Sequence, residues 1–182
     1  MLLVDVRIKN YKCILDSETF TVDQMTCLVG KNESGKSAIL QALYKLNPVD
    51  KEDIYDALYE YSKMYQTDFE AGEIPDGNTV LISHWKFTEN EITEIDALFG
   101  SGFITKSTIV TITNGYDNHR SWSFEPNFEK LFTKKTADFA FGDPDRAQIT
   151  KFDSISDIRT QLNQLSVLSD AEQSFKDWFC LL

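Results

Sequence analysis

At 182 residues, 42% hydrophobic and 13% aromatic, the chain has apolar mass enough for one folded domain and is not a disordered acidic tail. Its 18 Lys+Arg against 29 Asp+Glu leave a net charge of −11. That charge repels nucleic acid unless basic groups gather on one face, which excludes a free-standing DNA binder by composition. The imbalance is uneven: residues 1–47 carry 6 basic and 5 acidic side chains, whereas residues 48–182 carry 12 and 24.

Cys13, Cys27 and Cys180 are far apart, and any one pairing leaves a thiol over, so reduced and mostly buried cysteines are expected. With His84 and His119 as the only histidines, no short-spaced metal cluster can be written. Asp5 and Arg7 follow the first residues at once, which leaves no secretory apolar core. No apolar run approaches the ~20 residues of a membrane helix, so no membrane partner and a cytoplasmic location are expected.

Leu2, Val4, Val6 and Ile8 alternate with Leu3, Asp5 and Arg7 and predict a half-buried strand. A second strand is expected over Glu18 to Val22, and a third over Thr26 to Val29, running into Gly30. Ser37 to Leu46 predicts a helix with Ile39, Leu40, Leu43 and Leu46 on one side, stopped by Asn47-Pro48. Residues 51–66 place Ile54, Leu58, Tyr61 and Tyr65 at helical spacing, with Glu52, Asp53 and Asp56 in the opening turns. A polar loop over 67–78 follows.

Thr79 to Phe87 predicts a strand. Thr88 with Glu91 is a capping box opening a helix that turns Ile92, Ile95 and Leu98 inward, ended by Gly100-Ser101-Gly102. Thr108 to Thr113 and Tyr116 to Phe124 read as strands flanking the hairpin signal Asn114-Gly115. A loop around Gly142 to Asp145, a helix carrying Ile155, Ile158, Leu162 and Leu165, and a helix entered by the capping box Ser169/Glu172 complete the chain. Lys130, Lys134 and Lys135 form a modest basic cluster that reads as a solvated helix face. The chain ends on Phe179-Cys180-Leu181-Leu182, an uncapped apolar end; either the chain was cut there or the end docks on something else.

Residues Gly30-Lys31-Asn32-Glu33-Ser34-Gly35-Lys36-Ser37 match GxxxxGK[ST] in full, between an apolar strand pattern and an apolar helix. Gly30 and Gly35 free the backbone to turn, so that amides from about Asn32 to Ser37, with Ala38 behind them, point inward and form an anion site at a helix N-terminus. Lys36 reaches the β and γ phosphates of a nucleotide, and the Ser37 hydroxyl joins the coordination of Mg²⁺.

The interior of this motif, GKNESGKS, resembles the P-loops of SMC, RecF and OLD (overcoming lysogenization defect) ATPases, of the wider ABC type. Val6-Arg7-Ile8-Lys9-Asn10-Tyr11-Lys12-Cys13-Ile14 is similar to the I-x-N-F-[RK] strand that opens those proteins. The strand at Thr79–Phe87, the run Thr88-Glu89-Asn90-Glu91-Ile92 and the turn at Asn114-Gly115 resemble their antiparallel lobe. The resemblance implies an α/β P-loop NTPase lobe with a mixed sheet and an antiparallel β segment, an incomplete ATPase head.

On that resemblance the single lobe 1–182 divides into strands, Walker A loop and helix (1–48), an acidic helix and loop (49–78), an antiparallel segment (79–125) and a helical part (126–182). The resemblance also implies ATP with Mg²⁺ as cofactors, base or ribose contacts from Asn10, Tyr11 and Lys12, and an Mg²⁺-sensing glutamine for which Gln148 is a candidate. Such heads need a Walker B strand ending in Asp-Glu, a Leu-Ser-Gly-Gly type signature and a switch histidine, and none stands in this sequence. Leu2-Leu3-Val4-Asp5 lies before the P-loop and reads as structural, and Phe139 to Asp143 lacks the following Glu.

The implied partners are the missing C-terminal half of the head or a second head, with DNA a partner of the assembled parent only. Two other readings stay open. A small phosphotransferase would cluster arginines around its phosphates, but Arg7, Arg120, Arg146 and Arg159 are dispersed; a GTPase lacks its base-recognition motif. An interaction module with a vestigial P-loop would use the acidic 50–76 segment and the apolar C-terminus as partner surfaces.

Overall fold

The structure is a computed structural model and describes residues 1–74, 76–138, 160 and 170–179. It divides into two compact units, one from Met1–Lys86 with Ile109–Phe124, the other from Phe87–Thr108 with the chain from Glu125 onward. Among the described residues, no helix is long and apolar enough to cross a membrane.

The first unit is built on a sheet ordered β2-β1-β4-β5-β6, with β3 also on β1. Its strands are β1 (Leu2–Tyr11), β2 (Ile14–Asp16), β3 (Phe20–Thr21), β4 (Thr79–Lys86), β5 (Ile109–Gly115) and β6 (Arg120–Ser123). All five pairings among the described residues are antiparallel. The alternation in β1 sends Val6 and Ile8 wholly out of solvent, each burial contributing about 1.5–3 kcal/mol. The opposite face carries a polar row in direct register across five strands: Thr21, Asp5, His84, Thr111 and Ser123. There Asp5 bonds the His84 ring, so Asp5 has the structural place the sequence suggested.

The core on the other face collects Ile8, Tyr11, Ala38, Ala42, Tyr55, Tyr61, Val80, Leu81 and Tyr116. Helix α1 (Lys36–Tyr44) presses Ala38 and Ala42 into it. Ile39, Leu43 and Leu46 are partly buried against the same cluster, but Leu40, expected on that side, is 60% exposed.

Four other expectations give way to the structure. The strand expected over Glu18 to Val22 shrinks to β3, Phe20–Thr21, and β2 at Ile14–Asp16 stands before it where no strand was expected. Ser17 Oγ accepts the Ile8 N–H and Glu18 turns left-handed at φ +54°, which breaks the run between β2 and β3. Thr26 to Val29 forms no strand: no described pairing reaches it, and Val29 stands 90% exposed. A strand has no hold without a neighbour to take its backbone groups.

The 51–66 helix is replaced by α2 (Ala57–Glu60) and α3 (Gln66–Glu70), the second lying in the expected loop. Asp56 caps α2 through the Leu58 N–H, Glu60 turns inward, and Tyr61 leaves the helix extended. Ile54 and Leu58, the apolar face of the expected helix, are 51% and 61% exposed. Finally, Asn114-Gly115 is not the hairpin turn. Both residues stay in β5 opposite an irregularity in β4 between Thr79 and Leu81, and the chain reverses over Tyr116 to His119. Asn118, at φ +56°, supplies the left-handed residue of that turn.

In the second unit, α4 (Glu89–Phe99) opens with the expected capping box. Its Leu98 is 62% exposed, and the next residue, Phe99, stacks on Phe103 at 5.1 Å between ring centres. Phe103 meets Phe128 of α5 (Phe128–Asp138) edge-on at 6.3 Å. Gly100, at φ +101°, brings the chain so close to α5 that a Cβ there would lie 3.0 Å from the Lys130 carbonyl oxygen. Helix α6 (Asp170–Phe179) follows among the described residues, and Ser169 of the expected capping box lies outside them. The expectations at Phe139 to Asp143, Gly142 to Asp145, Gln148, Cys180 and the 155–165 helix lie outside the described residues, Thr160 alone excepted.

Candidate nucleotide-binding loop

The loop Gly30–Ser37 closes around its own lysine. The Ser34 N–H donates to the Lys31 carbonyl at 3.3 Å, and Glu33 and Gly35 take left-handed angles of +66° and +90°. A Cβ on Gly30 would lie 2.8 Å from Ser34 Oγ, and one on Gly35 would press on Cys13 Sγ and Ile14 at 3.4 Å. Gly35 is therefore required by the turn as well as by the motif, whereas a side chain at Gly30 would displace the Ser34 hydroxyl. Lys36 Nζ curls back to donate to Gly30 O at 2.8 Å, to Lys31 O and to Ser34 Oγ at 3.4 Å.

Helix α1 starts on this loop without a cap. Its N-cap, Gly35, offers no side chain, and no acidic residue stands in its first turn. The first intrahelical bond runs from the Ile39 N–H to Gly35 O at 2.9 Å, so the N–H groups of Lys36, Ser37 and Ala38 have no carbonyl of their own helix to meet. The positive end of the helix, the Lys36 ammonium and the exposed side chains of Asn32, Glu33, Ser34 and Ser37 share one short stretch. This arrangement suits a multiply charged anion. Ser37 Oγ, exposed at the helix start, is an oxygen that a hard cation carried by such an anion could use. Among the described residues no group of three or more His, Cys, Asp and Glu side chains could hold a metal ion.

The three residues ending β1 have differing roles. Asn10, at φ +53°, donates from Nδ2 toward the carbonyls of Gly77 and Thr79 at 3.4 and 3.3 Å, and its own carbonyl accepts from the Tyr116 hydroxyl at 2.7 Å. Tyr11 is fully buried, and its hydroxyl donates to Glu60 Oε1 at 2.8 Å. Both side chains are thus engaged in holding the sheet to the 60–79 segment. Lys12, also left-handed, is partly exposed and donates to Gln41 Oε1 on α1 at 2.6 Å, which keeps it beside the loop's helix. Gln148 lies outside the described residues.

A charged node beneath α1 was not visible in the sequence. Glu60 is 8% exposed and accepts from Tyr11, from Lys45 Nζ at 2.8 Å to each oxygen, and from the Asp56 N–H at 3.1 Å. Burial alone would raise its carboxyl. The hydrogen bonds from Lys45, the Asp56 N–H and Tyr11 outweigh that and hold it below the usual carboxylate range. Lys45, one residue past α1, also donates to Ile54 O at 2.6 Å and faces Asp53 at 3.2 Å. Burial, followed by the Glu60 bond, pushes the Tyr11 hydroxyl upward. A Glu in a run of seven acidic residues between Asp50 and Glu70 carries no local mark that singles it out; only the pairing of distant segments does.

Comparison with known proteins gives one family. The chain matches the AAA ATPase domain from residue 1 to residue 176. No curated protein matches it. Among solved structures, a chain from work on the ATP-driven dimerization and DNA-stimulated activation of SMC ATPases is similar at 13% identity, with 99% of each chain covered and a TM-score of 0.35. So distant a likeness bears no weight on the site. With its glycine loop, its uncapped helix and a match over nearly its full length, the chain belongs to the AAA ATPase domain family.

Proposed function

We propose that this chain is the ATP-binding N-terminal portion of an ATPase head of the SMC/RecF/OLD type. The observation that carries this reading is the open start of α1: a nine-residue helix entered through Gly35, with neither a side-chain cap nor an acid in its first turn, and with Lys36 folded over the loop. The backbone N–H groups from Asn32 to Ala38 hold the phosphate chain, Lys36 neutralises its β and γ oxygens, and Ser37 Oγ enters the Mg²⁺ shell. Bound Mg-ATP supplies a phosphoanhydride bond whose cleavage releases free energy; the residues of this chain bind and orient it. Lys12, beside α1, faces the nucleotide, while Asn10 and Tyr11 set the strand end that positions it.

Hydrolysis in this reading draws its Walker B carboxylates and signature segment from the C-terminal half of the head or from a second head in an ATP sandwich. Turnover then drives a DNA transaction or a phage-defence response in the cytoplasm. Against a phosphotransferase stands the engagement of two of the four arginines: Arg7 pairs with Asp16, and Arg120 donates to Asn114 and to Leu46 O.

Calorimetric titration with ATP, with and without Mg²⁺, tests the proposal. Mg²⁺-dependent binding with little or no hydrolysis, lost in Lys36→Ala, is expected. Rapid turnover by the chain alone, or equal binding by the folded Lys36→Ala protein, would overturn it.

A further inference from the structure

A second cavity lies at the far end of α1, away from the glycine loop. It has a volume of about 230 Å³ and is lined by Lys45, Lys51, Asp53, Asn114, Asn118 and Arg120 among others. Its walls are fixed. Asn118 accepts the Tyr55 N–H at 3.0 Å and donates to Tyr55 O at 3.1 Å, and the Tyr55 hydroxyl donates to Ala42 O at 2.9 Å. Arg120 holds Asn114 Oδ1 from Nε at 3.1 Å and the Leu46 carbonyl from Nη2 at 2.7 Å.

Three features of this wall call for a ligand. Asn114 is 5% exposed, and its Nδ2, turned by the bond on Oδ1, has no hydrogen-bond partner. Buried amide donors are almost always satisfied, so an orphan in a cavity wall marks a missing acceptor. Three cations stand at the cavity, Lys45, Lys51 and Arg120, against two carboxylates, Asp53 on its wall and buried Glu60, both of which pair with Lys45. The balance beside that donor is positive, in a chain whose net charge is −11.

We propose that this cavity is a binding site for a small oxyanion, a phosphate or a carboxylate. Asn114 Nδ2 and the free guanidinium face of Arg120 donate to it, and Lys51 closes over it. The cavity is half open to solvent, its inner wall is held by hydrogen bonds to backbone, and cationic and amide donors converge on it, the chemistry of an anion site.

The test uses the full chain carrying Lys36→Ala, so that phosphate at the glycine loop is silent. The unfolding midpoint and the heat of binding are followed with sodium phosphate and, separately, sodium malonate, against sodium chloride at matched ionic strength. Saturable binding of either oxyanion is expected, and which of the two binds separates a phosphate ligand from a carboxylate one. Adding Lys51→Gln, an exposed change that leaves the fold intact, or Arg120→Gln should weaken binding about tenfold or more. Asn114→Leu should abolish it; because this change also takes the acceptor from Arg120 Nε, its unfolding midpoint in chloride is measured alongside to separate loss of binding from loss of fold. Saturation by neither oxyanion, or binding unchanged by Lys51→Gln and Asn114→Leu alike, would overturn the proposal.

Discussion

Helices α1 and α4 begin in opposite ways. At α4, Thr88 accepts the Glu91 N–H, Glu91 accepts the Thr88 N–H at 2.8 Å, and Glu89 and Glu91 set two negative charges on the positive end of the helix. At α1 the N-cap is a glycine at φ +90°, the first turn has no acid, and its first residue is Lys36. A helix that satisfies its own start gains stability and has nothing left to offer; one that leaves its start open gives up that stability and becomes a receptor. The two helix starts thus differ by side-chain choice alone: α4 meets its N–H groups with its own cap, and α1 leaves them open.

An open start needs support elsewhere, and α1 has it where Lys45 meets buried Glu60. Glu60→Gln, which leaves the Lys45 ammonium, only 9% exposed, with Asp53 alone as its counter-charge, is expected to cost about 3 kcal/mol in urea unfolding, the low end for a broken buried pair. The Glu60 carboxyl lies below its ordinary value of 4.5 in the folded chain. Its contribution is therefore complete above about pH 4.5 and lost as pH falls through the lower folded value. The acid limb of the stability curve should be shallower in Glu60→Gln than in the parent. If Glu60→Gln matches the parent at neutral pH, α1 is not anchored there and the contrast with α4 loses its basis.

Ser37→Glu gives α1 the acid that α4 carries. Affinity for Mg-ATP should fall about a hundredfold, ~2.8 kcal/mol, by calorimetry. Thr88→Ala opens α4 instead, and should lower stability by about 1 kcal/mol with ATP affinity unchanged. The smallest effect belongs again to Ser37→Glu: without nucleotide it should raise stability by about 0.3–1 kcal/mol at low salt, and the gain should fade as salt is added. A stabilised chain that still binds ATP normally would show that the helix start is not the receptor.

The glycine loop was legible because its chemistry is local: eight consecutive residues dictate the turn, the lysine and the hydroxyl. The capping box at Thr88 was legible for the same reason. The failures share another cause. Ile54, Leu58, Tyr61 and Tyr65 have helical spacing, yet the segment bends so that Glu60 can meet Lys45, 15 residues back, and Tyr11, 49 back. Asn114-Gly115 has the residue types of a tight turn, but Asn118, three residues on from Gly115, clamps the Tyr55 backbone and draws the reversal to itself. At the end of β1 the family resemblance implies nucleotide contacts from Asn10 and Tyr11, and it says nothing of what their side chains hold in the fold. Their partners at Gly77, Thr79 and Glu60 could be known only once the chain had folded back on itself.

In the proposed function, the folded-over Lys36 would make the loop a filter on valency. Three protein oxygens already surround its ammonium, so an arriving anion must outcompete them. Chloride or a lone carboxylate brings a single charge and cannot replace three acceptors, whereas a polyphosphate brings several charges on adjoining atoms and can. The loop should therefore ignore the monovalent anions that surround it in any cell, and the heat released on nucleotide binding should be smaller than the number of new contacts suggests, because old ones are surrendered first.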